Sequence, residues 1–216
     1  MNNWVIFAVA LLATAGLLLG TVAAGVYSKE PIHKPYWDKP EMRQVILSNA
    51  STIGVKASEG NLGVVIIGYR DMINATNRPE LLTVLREVIT AARGYTVYLA
   101  PWADDNASKA YLTLLYQGAL SISDYLRGVL RNGTTVTQRV DLAKNLARTI
   151  AATYGIYAGT RDAPAPPIYV AIFRNDTPYV VYEPFTLGRD RTYTDWLQWV
   201  ITALENLKQG QGRVTP

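Results

Sequence analysis

The 216-residue chain has no cysteine and a single histidine. The first absence excludes structural disulfides, a thiolate nucleophile and any cysteine-ligated zinc or iron–sulfur site. The second argues against histidine-based triads and histidine-dependent metal sites, because His33 lies in a proline-rich stretch between Pro31 and Pro35. There is no internal repeat, no phosphate-binding loop and no glycine-rich dinucleotide fingerprint, so no cofactor is expected. Charged residues make up only 18%, and the net charge of +4 is scattered. Nucleic-acid binding would need a concentrated basic face, so nucleic acid is not an expected partner. Asp104–Asp105 lacks the alternation of a calcium loop and is expected to cap a helix instead.

Charge is missing altogether from Trp4 to Val26, "WVIFAVALLATAGLLLGTVAAGV". A helix rising about 1.5 Å per residue needs roughly 20 apolar residues to cross a bilayer core. Residues 1–27 are therefore expected to be a membrane anchor, with residues 4–26 as the span. The alternative is secretion after signal cleavage at "TVAA", but "MNN" carries no basic residue. Lys29, Lys34, Lys39 and Arg43 would hold the C-terminal side in the cytoplasm by the positive-inside rule.

Five N-x-S/T sequons point the other way, at Asn49, Asn74, Asn106, Asn132 and Asn175. Chance placement in this composition gives about 1.4. The expectation is a single-pass chain with its C-terminal domain outside the cell, glycosylated at Asn49, Asn106, Asn132 and Asn175. The competing reading takes such Asn-Ala-Ser/Thr runs as helix caps. A cysteine-free, sequon-bearing, tyrosine-rich surface chain resembles archaeal proteins in composition. Pro31, Pro35 and Pro40 make residues 28–41 an expected stiff stalk, since proline resists both helix and sheet.

The rest, residues 42–208, reads as one α/β domain before a tail at 209–216. "EMRQVILSNA" predicts a short helix, and Thr52–Ser58 and Gly63–Tyr69 predict strands, the second buried on both faces. Leu81, Leu85, Val88 and Ala92 fall on one helical stripe, followed by Gly94 and a strand over Tyr95–Pro101. Residues 104–155 are a helical block, with Val140, Ala143, Ala147, Ile150 and Tyr154 as its buried stripe. "PPIYVAIFRNDTPYVVYEPF" predicts a hairpin, and Trp196, Val200 and Leu204 mark a closing helix.

The order β-α-β, helical insertion, β-β-α resembles the thioredoxin fold, and DsbA-like proteins in particular. "VVIIGYRDMINATNRPELLTVLREV" resembles the family's strand–CxxC–helix run, in which a proline follows the second cysteine by five residues. Counting back from Pro79 puts Asp71 and Asn74 at the cysteine positions, so "DMIN" stands where CxxC would. "APAPPIYVAIFRND" resembles the cis-proline loop, with Pro167 as the matching proline. Other readings stay open: an α/β sheet of different topology, and "NATNRPELL" as an ordinary helix start with Pro79 in its first turn.

The resemblance implies a redox-inactive domain that binds protein or peptide in the groove beside the cis-proline. Tyr69, Asp71, Met72, Ile73, Asn74, Pro166, Pro167 and Ile168 are the residues expected to line it. Met72 and Ile73 are apolar where the family presents a surface loop, which suits a contact site or, alternatively, a fold-back into the core. A structural or assembly subunit of a membrane or surface complex is the second expectation. An enzyme is the third, weakened because Asp71 has no second acid, histidine or metal set beside it.

Overall fold

A computed structural model describes residues 33–35, 40–153, 168–174, 177–182 and 193–209. The apolar segment 4–26, Pro166, Pro167, Asn175 and the expected tail beyond residue 209 lie outside them. Among the described residues, no helix is long and apolar enough to cross a membrane.

Among the described residues, six strands form one mixed sheet, in the order β1-β6-β5-β3-β4-β2. They are β1 (His33–Pro35), β2 (Val55–Ser58), β3 (Val64–Arg70), β4 (Thr96–Trp102), β5 (Ile168–Arg174) and β6 (Thr177–Tyr182). The helices are α1 (Pro40–Ile53), α2 (Arg78–Ala91), α3 (Asn106–Tyr116), α4 (Ile122–Leu126), α5 (Gln138–Thr153) and α6 (Tyr193–Lys208). β3 and β4 run parallel, as a strand–helix–strand unit through α2 requires, while every other pairing is antiparallel. β5 and β6 pair from Arg174↔Thr177 inward, the hairpin expected around "RNDT".

The β3 run "VVIIGYR" is apolar on both faces because both faces are covered. Val65, Ile66, Ile67 and Tyr69 have no exposed surface, and neither do Val170, Ala171 and Ile172 of β5. Each fully buried aliphatic side chain contributes about 1.5–3 kcal/mol. Helices α2 and α6 pack on one another, whereas α1, α3 and α5 pack against β4. Four residues of the expected α5 stripe, Val140, Ala143, Ala147 and Ile150, are fully buried, and the fifth, Tyr154, lies outside the described residues. Gly68 faces Tyr169 across the ladder, and a Cβ there would lie 2.1 Å from the Tyr169 ring. Only glycine lets that ring cross the strand and stack on Trp102, 6.3 Å away.

The proline-rich stretch departs from the expected stalk. His33–Pro35 pair antiparallel with β6, His33 opposite Val181, and Pro40 opens α1. Proline lacks an N–H, but an edge strand leaves half its donors unused, and the first helical position needs none. α1 also runs on to Ile53, so β2 starts three residues later than its β-branched residues suggest.

Candidate functional site

β3 ends at Arg70, and the next residue, Asp71, is completely buried. Its N–H still follows the sheet, donating to the Trp102 carbonyl at 2.9 Å. The carboxylate therefore sits at the C-terminal end of the central strand, where side chains from α2 and α4 meet it and one from α3 meets its arginine partner.

Arg78, in the first turn of α2, donates from Nε to Asp71 Oδ1 at 2.7 Å and from Nη2 to Oδ2 at 3.2 Å. Tyr125 of α4 donates to Oδ2 at 2.8 Å. Nη2 of Arg78 also donates to the Tyr111 hydroxyl of α3 at 3.1 Å, and that hydroxyl donates on to the Val129 carbonyl at 2.9 Å. The guanidinium lies 5.1 Å from the Tyr111 ring centre and 5.9 Å from that of Tyr125. Tyr69 is buried against the same group, its hydroxyl beside Tyr125 but without a partner in regular hydrogen-bond geometry.

Burial works against the Arg78 charge, but the hydrogen bonds and charge of Asp71 outweigh it and raise its pKa above the usual arginine value. Burial pushes the Tyr69 and Tyr125 hydroxyls well above the ordinary tyrosine range, so both stay protonated. Both carboxylate oxygens of Asp71 already accept hydrogen bonds, and no water reaches them. This group is an anchor that ties α3 and α4 to the end of β3 and the start of α2. Proton transfer to a bound substrate would need an open face on Asp71, and it has none.

The expected groove residues divide into four sets. Tyr69 and Ile168 are cross-strand partners and fully buried, like Asp71, so these three line no open surface. Met72 and Ile73 are half-buried and pack against the core, with the Met72 sulfur accepting from Asp104 N–H at 3.5 Å. Asn74 is exposed. Pro166 and Pro167 lie outside the described residues. "DMIN" also does not open the helix. Residues 73–74 and 76–77 form turns, α2 begins at Arg78, and Pro79 sits in its first turn, where its missing N–H costs nothing.

Arg78, Tyr111 and Tyr125 were not anticipated. One signal was available: an arginine opening a helix opposes the macrodipole, so its burial calls for a carboxylate nearby. Of the sequon asparagines, Asn74 and Asn132 are exposed in a turn and a loop, respectively. Asn49 is half-buried in α1 and donates to Val45 O at 2.6 Å. Asn106 opens α3, and its sequon serine, Ser108, is buried with its hydroxyl accepting from Ile73 N–H at 3.0 Å. Asp105 caps that helix by accepting from Ser108 N–H at 2.8 Å, as expected of Asp104–Asp105, so the capping residue here is not the sequon asparagine. No group of side chains able to hold a metal ion occurs among the described residues.

No protein-family model, no curated protein and no solved structure matches this chain.

Proposed function

We propose that residues 42–208 are a redox-inactive, thioredoxin-like domain that binds protein or peptide, held at the outer face of a membrane by residues 4–26. The observation that carries this reading is the order of four strands around β3. β4 lies parallel on one side of β3, β5 antiparallel on the other, and β6 beyond β5, with α2 after the first strand and α6 last. That order supports a thioredoxin-like reading, as does the position of α3–α5 between β4 and β5, matching the helical insertion of DsbA-like proteins. A chain without cysteine keeps the scaffold and loses disulfide exchange, leaving recognition as its use. The second reading, a subunit of a larger surface complex, draws on the exposed apolar residues Val129, Leu130 and Val136.

Affinity purification of the detergent-solubilised full chain, with mass spectrometry of what it retains, tests both. Exchangeable, saturable binding of peptides supports the first reading. One partner at fixed stoichiometry supports the second. The outside location predicts that protease added to intact cells removes the domain, and that glycan mass is found at Asn132, the exposed loop sequon. A domain protected until lysis would reverse the orientation.

A further inference from the structure

Where α2 begins and α4 ends, a cleft of about 450 Å³ opens beside the buried Asp71–Arg78 pair. Its size is that of a small-ligand or peptide side-chain site. Ile73, Leu82 and Leu126 give it an apolar floor, and its walls contain Arg78, Arg86 and Arg127 but no Asp or Glu among the described residues. Asp71 neutralises Arg78 from behind. Arg86 and Arg127 are exposed, and no carboxylate pairs with either among the described residues. Arg86 donates to the Thr83 hydroxyl at 2.8 Å, which holds its guanidinium along the cleft wall.

We propose that this cleft binds an acidic peptide segment, its carboxylates on Arg86 and Arg127 and its apolar side chains on the floor. The proposal rests on the peptide-binding reading above and names the class of peptide. Two uncompensated arginines over apolar surface complement a chain that alternates acidic and apolar residues. Two exposed apolar residues, Val129 at 38% and Leu130 at 58%, follow the lining Gly128 directly along the chain. Apolar residues beyond the cleft's own lining suit an extended segment better than a single small anion. A polynucleotide fits less well, because no aromatic side chain among the described residues lines the cleft to stack a base.

The test uses an array of immobilised random dodecapeptides, probed with the detergent-solubilised full chain and with its Arg86→Glu/Arg127→Glu variant. Both positions are exposed, so the variant should melt with the wild type, and that is checked first. The expected result is retention on peptides that mix Asp or Glu with leucine-like residues. Binding should weaken with salt and fall about tenfold or more in the variant. Retention without acidic preference, or unchanged in the variant, overturns the cleft and leaves peptide binding standing. Competition by inorganic phosphate or by an oligonucleotide as strong as that by acidic peptide also overturns it, as a general anion site. No retention on any peptide removes both readings together.

Discussion

Arg78 and Arg139 occupy the same kind of position and are neutralised in opposite ways. Each lies in the first turn of a helix, α2 and α5 respectively, where the macrodipole disfavours a cation. Each guanidinium lies over tyrosine, Arg139 at 4.9 Å from the Tyr116 ring centre. Arg78 is answered by a formal charge, the buried carboxylate of Asp71. Arg139 instead reaches the C-terminal ends of two other helices, donating to Gly54 O just after α1 at 2.6 Å and to Tyr116 O at the end of α3 at 3.1 Å. Those carbonyls are the negative poles of their own helices, so no carboxylate is required. A buried ion pair fails steeply when one member is removed; a cation on carbonyl dipoles fails only by its hydrogen bonds.

The largest expected effect comes from breaking the formal pair. Asp71→Ala leaves Arg78 buried, charged and unpaired, which should cost about 3–5 kcal/mol in denaturant unfolding. Asp71→Ala combined with Arg78→Met removes both charges and should cost clearly less than the single variant. A double variant as unstable as Asp71→Ala alone would mean that packing, not charge compensation, is what the pair supplies.

That pair also marks the boundary of what the sequence makes legible. β3, β4, α2 and the α5 stripe follow from local periodicity, because "VVIIGYR" and the Val140–Ala143–Ala147–Ile150 spacing state which surfaces are buried. Asp71 and Arg78 are seven residues apart, and their tyrosine partners lie 54 residues beyond Asp71 and 33 beyond Arg78. No local pattern joins them; only the return of the helical block to the end of β3 does. The count back from Pro79 rests on a residue that has no single local meaning. Proline is equally at home in a kink and in a first turn, and the turns after Asp71 place it in the first turn. Edge strand β1 was hidden because its pairing comes entirely from β6, more than 140 residues away, and not from its own composition.

Tyr125→Phe sharpens the comparison from the hydroxyl side. It deletes one donor to the Asp71 carboxylate and leaves both Arg78 contacts in place. A hydrogen bond to a charged group is worth about 1.5–3 kcal/mol, so the loss should be smaller than that of Asp71→Ala. Equal losses would show that the hydroxyl, and not the guanidinium, is the main partner of the carboxylate.

Arg139→Met is the matching test at the carbonyl-bound cation. Two hydrogen bonds to helix-end carbonyls disappear, with no ion left behind, and the expected cost is about 1–2 kcal/mol. Arg139→Lys should recover part of this, since one ammonium reaches fewer carbonyls than a forked guanidinium. A loss as large as that of Asp71→Ala would erase the distinction drawn between the two arginines.

The smallest effect belongs to a helix start with a charge of the favourable sign. Asp105 caps α3, accepting from Ser108 N–H at 2.8 Å, so here a carboxylate meets the positive pole of the macrodipole. Partial burial raises its pKa, but the Ser108 hydroxyl and the amide donors of the first turn lower it more, leaving it below its ordinary value of 3.8. A depressed folded pKa means that this stabilisation is fully present above the unfolded value. It is then lost as pH falls below 3.8 through the folded pKa. Asp105→Ala should therefore cost about 1 kcal/mol at neutral pH. The difference from wild type should shrink in acid, where the wild-type carboxylate is itself protonated. Melting curves of the two chains at pH 7 and near pH 3 make the comparison. A gap that stays constant with pH would assign the cap to packing and not to its charge, removing the electrostatic basis on which the three helix starts are compared.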